Sequence, residues 1–137
     1  MNVLPYEWLK SAYADLLTIE RIIDNEYLTH VVAFHSEQAI EKCFKAIVCQ
    51  QNIEIPKIHD IRRLHKLTGN NFPLDESMLE ILLKINELYI DSRYPADHGL
   101  LPDGKPTPQD AKIFYNLAQY IFQKSCNILN VSPEEIL

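Results

Sequence analysis

Apolar positions along the chain recur at steps of three and four, the period of a helix with one buried face. Between residues 6 and 25, Leu9, Ala12, Tyr13, Leu16, Ile19 and Ile23 form one such stripe and predict a first helix. Thr29 is placed to cap a second, running to about residue 51, with Ala39, Ile40, Cys43, Phe44 and Ile47 on one arc. Its opposite arc carries His35, Gln38, Lys42 and Lys45. After Pro56, a short third helix opens at His59 or Asp60, with Ile61, Leu64 and Leu67 facing inward and Arg62, Arg63 and Lys66 outward, and closes at Gly69. Asp75 caps a fourth, to about residue 93, apolar over so much of its circumference that it should lie at the centre or face a partner subunit. Residues 95–108 hold Pro95, Gly99, Pro102, Gly104, Pro106 and Pro108, a density that forbids regular structure. Thr107 then caps a last helix marked by Ala111, Phe114, Ala118, Ile121, Phe122 and Cys126. No strand pattern or repeat competes. The expectation is an all-α, up-and-down bundle of about five helices joined mostly by short connections.

Length narrows this to one domain over residues 1–137. Hydrophobic residues at 47% and charged residues at 23% match a folded chain and exclude a disordered one. No apolar run is long enough for a membrane span and no leader pattern opens the chain, so the expected location is cytoplasmic. Cys43, Cys49 and Cys126 are odd in number and form no CxxC pair, which reads as reduced core cysteines. A formal net charge of -6 argues against a protein that coats nucleic acid over its whole surface. A local basic cleft stays open, because charges act within a Debye length of about 8 Å.

The segment from Phe34 and His35 through Gln38-Ala39, Glu41-Lys42 and Lys45-Ala46 resembles the second-helix signature of the HEPN domain, the helical family of prokaryotic toxin–antitoxin systems that also stands beside nucleotidyltransferases. Trp8, Ala12 and Asp15-Leu16 in the first helix, His59-Asp60-Ile61 opening the third, and Tyr89 followed by Ser92-Arg93-Tyr94-Pro95 fall in family order. The resemblance implies a bundle that pairs into a homodimer, with the motif at the end of the fourth helix beside the dimer cleft. It also implies two possible partners, RNA or a nucleotide, and a minimal nucleotidyltransferase.

HEPN ribonucleases carry an Arg followed four to six residues later by a His, and here Arg93 and His98 enclose four residues. Arginine can clamp a phosphate and stabilise the charge of a phosphoryl-transfer transition state. Histidine can move the proton of a ribose 2′-hydroxyl or of the leaving oxygen. Arg93 and His98 are therefore the candidate catalytic pair of a metal-independent endoribonuclease, with Asp91 and Asp97 as candidate orienting carboxylates. Two features depart from the pattern. Tyr94 and Pro95 follow the motif Arg where ribonuclease members often carry a small polar residue, and Leu100 stands where the toxin branch carries a Tyr that accepts nucleotide. A non-catalytic module that binds a nucleotide or docks a nucleotidyltransferase is the alternative.

His35, Gln38, Lys42 and Lys45 are a candidate phosphate or nucleotide site, although a solvated helix face has the same pattern and is the simpler expectation. Arg62, Arg63 and Lys66 read as exposed charges that could extend a basic rim. His30 and His35, or His59 and His65, lack the spacing of three or four that puts two ligands on one helix face, and neither a metal nor a cofactor is expected. The 95–108 loop could cover a cleft or simply move.

Overall fold

The computed structural model describes residues 4–92 and 105–136. Among them are five α-helices and no strand: α1 (Leu4–Ile22), α2 (Thr29–Gln50), α3 (Ile61–Leu67), α4 (Glu76–Ser92) and α5 (Pro108–Leu129). Single 3-10 turns at Glu26–Leu28, Gly69–Asn71 and Pro133–Ile136 trim the connections. None of the described helices is long and apolar enough to cross a membrane.

Local chemistry explains most of the boundaries. Asp60 accepts from the backbone N–H groups of Arg62 and Arg63 and opens α3. Asp75 accepts from Met78 N–H at the start of α4. Thr107 and Asp110 form a reciprocal capping box ahead of α5, with Pro108 where its missing N–H costs nothing. Asn130 ends α5 in the left-handed region, at φ 56°, and lets Val131 N–H reach back to the Cys126 carbonyl. Gly69 takes φ +65° just beyond α3.

Thr29 is not the cap of α2. The 3-10 turn, itself capped by Asn25 accepting from Tyr27 N–H, runs straight into the helix, so Thr29 becomes its first residue and is buried.

The centre of the bundle is α2 rather than α4. Fifteen of its 22 residues are buried against six of 19 in α1, so α2 is enclosed on nearly all sides. Leu9, Leu16 and Ile19 of α1 and Phe114, Ala118 and Ile121 of α5 share a core with Ile40, Cys43, Phe44 and Ile47 of α2. Phe44 meets Phe72 edge-on at 5.4 Å between ring centres. In α4, Leu82, Ile85 and Leu88 are buried, while Leu79 stays 40% exposed. The sequence points to α4 because it is the more continuously apolar helix; α2 can nonetheless lie inside because its charges are paired there. Leu67 also departs from expectation, being 37% exposed at the last turn of α3. None of the three cysteines is in a disulfide and all are buried, as their number and spacing imply.

The α3 cap also ties that helix to α4. Asn86 Nδ2 donates to Asp60 Oδ1 at 3.2 Å, and Ile61 N–H donates to Asn86 Oδ1 at 3.2 Å. Asp60→Ala removes the cap and one partner of buried Asn86, and should cost about 1–2 kcal/mol in urea unfolding, whereas Glu134→Ala on the exposed tail should change it by less than about 0.5 kcal/mol.

Candidate functional site

The polar arc of α2 is turned toward α1 and not toward solvent. Asp15, 7% exposed, accepts from His35 Nδ1 at 2.8 Å on one oxygen and from Lys42 Nζ at 2.7 Å on the other. One turn further along, Lys45 is likewise only 7% exposed; its Nζ sits 5.2 Å from the centre of the Trp8 ring and donates to Glu41 Oε2 at 3.1 Å. The other Glu41 oxygen accepts from His59 Nδ1 at 3.0 Å. The antiparallel packing of α1 on α2 makes these pairs possible, since Asp15 and Trp8 fall opposite His35–Lys42 and Lys45 respectively.

Glu37 completes the seam one turn before Glu41. Gln38 Nε2 donates to its Oε2 at 2.9 Å, and its Oε1 is buried without a donor. Burial pushes its carboxyl up to about 9, and the Glu41 charge and a hydrogen bond with Glu41 push the same way, against smaller opposing effects of Gln38 and Lys45. Glu37 is therefore neutral at pH 7.

This seam can orient groups and hold a proton. With Asp15 accepting at Nδ1, the His35 proton lies on that nitrogen, and Nε2 has no hydrogen-bond partner among the described residues. Lys42 and Lys45, by contrast, are neutralised where they stand. A phosphate arriving at this face would have to displace Asp15 or Glu41.

A family model for the HEPN domain matches residues 6–129. The chain belongs to the HEPN family. Among solved structures, it is similar over the full length of both chains to TT1696 from Thermus thermophilus, at 23% identity and a TM-score of 0.74, which shows the common fold. No curated protein matches it.

The HEPN landmarks on α1, α2 and the start of α3 are thereby accounted for in space: Trp8, Asp15, His35, Gln38, Glu41, Lys42, Lys45 and His59 meet in one polar seam. Of the sequence-derived candidates, the structure brings His35, Gln38, Lys42 and Lys45 together there. Asp91 lies in the last turn of α4, and Arg93, Asp97 and His98 lie outside the described residues. Sequence reading missed Glu37, Glu41, Asp15 and His59 as members of the seam. The spacing of four between Glu37, Glu41 and Lys45 was the available signal, because it puts all three on one face of the HEPN second helix.

The neutral Glu37 sets a pH dependence. Its folded pKa lies above the unfolded value of about 4.3, so the folded state holds a proton that the unfolded state releases, and stability is full below that value and falls as pH rises toward 9. Glu37→Gln, which keeps the shape and removes the titration, should gain on the wild type between pH 5 and 9 with a slope of at most about 1.4 kcal/mol per pH unit in urea unfolding. A difference that does not change with pH would show Glu37 to be ionised in the fold.

Proposed function

We propose that this HEPN chain is a metal-independent endoribonuclease of the toxin kind, acting as a homodimer. The observation that carries the reading is the position of the Arg–His motif: Arg93 directly follows Ser92, the last described residue of α4, and His98 comes five residues after Arg93. In this mechanism a base takes the proton of a ribose 2′-hydroxyl, whose oxygen attacks the adjacent phosphorus. The bond to the 5′-oxygen breaks and that oxygen receives a proton, leaving a cyclic phosphate. Arg93 binds the phosphate and stabilises its extra negative charge, and His98 carries the proton. A two-fold axis supplies a second copy of each, so one His can serve as base while the other serves as acid. Asp91 and Asp97 are the carboxylates near enough in sequence to orient them.

A second reading is a HEPN module without catalysis, favoured by Tyr94 and Pro95 after the motif Arg and by Leu100 at the position of the nucleotide-accepting Tyr. Such a module would hold a nucleotide on His35, Gln38, Lys42 and Lys45, or dock a small nucleotidyltransferase. Lys42 and Lys45 already neutralise Asp15 and Glu41, which favours docking over nucleotide binding on that face.

Incubation of purified protein with mixed cellular RNA in excess EDTA separates the two. Cutting is expected, and His98→Ala and Arg93→Ala should each reduce it by about 10²-fold or more while leaving the thermal unfolding midpoint unchanged. Absence of cutting by the folded wild type would replace this reading with the binding module.

A further inference from the structure

Helix α5 carries two stripes. One, through Ala111, Phe114, Ala118, Ile121 and Ser125, is buried in the core of the bundle. The other runs through Ile113, Asn116, Tyr120, Gln123 and Asn127, all of them exposed, at successive steps of three, four, three and four residues. That alternation is the spacing of a coiled-coil seam, sustained over two heptads on the outer face of a 22-residue helix.

The outer stripe holds no charged residue. By contrast, the exposed face of α4 carries Glu76, Glu80, Lys84 and Glu87, and that of α1 opens with Glu7 and Lys10. Ile113 and Tyr120 are 39 and 40% exposed, and the amides of Asn116, Gln123 and Asn127 make no hydrogen bond to another side chain among the described residues. The Tyr120 ring is already oriented, because Lys124 Nζ lies 5.6 Å from its centre and donates to its hydroxyl oxygen at 3.5 Å. Depletion of charge around an exposed tyrosine is the composition of an interface core, not of a solvated helix face.

We propose that this stripe is an isologous interface, in which α5 packs antiparallel on α5 of a second copy of the chain about a two-fold axis at Tyr120. The spacing is symmetric about residue 120 to within one position. Antiparallel pairing therefore sets Ile113 across from Asn127, Asn116 across from Gln123, and Tyr120 across from its own copy. A two-fold axis brings like groups together, so a stripe of one charge would repel itself, whereas an amide both donates and accepts and can pair with another amide. The charge of the chain selects the same occupant. At a formal net charge of -6 two copies repel over most of their surface, and along this stripe they meet without opposing carboxylates. A nucleic acid or a charged peptide would find no countercharge within it. The contact is additional to the pairing across the end of α4 that the ribonuclease reading requires, and it involves neither Arg93 nor His98.

Sedimentation equilibrium over a concentration series tests the pairing and its register together. The wild type should self-associate. Asn116→Glu with Gln123→Glu sets carboxylates across from one another on both sides of the axis and should weaken that association at least about tenfold. Asn116→Lys with Gln123→Glu adds one charge of each sign, sets a cation across from each carboxylate, and should restore association to the wild-type level or above. Both positions are exposed, so the thermal unfolding midpoint should stay in place in both variants. A wild type that remains a monomer, a double-glutamate variant that associates as the wild type does, or a lysine–glutamate variant that associates no more strongly than the double-glutamate one would each overturn the proposal. RNA cutting in EDTA is read separately, so failure of the ribonuclease reading and failure of this interface are told apart.

Discussion

A helix enclosed on nearly all sides cannot keep unpaired charges, and α2 carries four charge-bearing side chains on the face it turns to α1. The rest of the structure follows from how that constraint is met. Two carboxylates, Asp15 and Glu41, each take two donors, and a third, Glu37, stays neutral. Removing one member of such a buried pair leaves the other uncompensated, at a cost of about 3–5 kcal/mol. The seam therefore fixes more than charge. A shift of α1 by one turn along α2 would separate Asp15 from both His35 and Lys42, so the ion pairs specify the register that the apolar stripe alone would leave loose.

The same seam extends to α3. His59 reaches Glu41 just before the helix begins, and the next residue, Asp60, caps α3 and binds Asn86 of α4. Four helices are thus connected through short polar links around the aromatic contact of Phe44 with Phe72. The residues through which the chain resembles HEPN proteins on α1, α2 and the start of α3 are, in this fold, mostly the residues that join those elements. Such a signature identifies the architecture strongly and says less about chemistry, for which Arg93 and His98 are separate candidates.

What was legible in the sequence was local. Helices with one apolar stripe, the caps at Asp60, Asp75 and Thr107, and the turn at Gly69 are determined by residues within a few positions of one another. The fate of the α2 polar arc was not, because its partners lie 20 residues away for His35 and 27 for Lys42, and nothing in a single helix shows whether a lysine faces water or an aspartate. The same limit left two places open for α4, the centre of the bundle or a face toward a partner subunit, and the centre belongs to α2. Counting apolar residues favours α4, whereas burial is decided by whether polar residues find partners, and in α2 they do. Leu67 matches the inward period of α3 but falls in its last turn, where the adjoining chain leaves it half uncovered. The family was legible from the run Phe34 to Ala46 on one helix together with shorter landmarks elsewhere in the chain, while the catalytic pair it suggested lies outside the described residues.

The buried thiols have a consequence of another kind. Cys43 and Cys126 sit in the packing of α2 against α5, and burial holds both thiols well above their ordinary pKa, Cys126 at about 11 and Cys43 higher still. Both are protonated at neutral pH and unavailable as nucleophiles while the helices are in contact. An alkylating reagent then reaches Cys43 and Cys126 only in those molecules in which α5 has parted from α2, and the rate at which these two thiols are modified, told apart from that of Cys49, becomes a clock for that opening, present in the native chain without an introduced label.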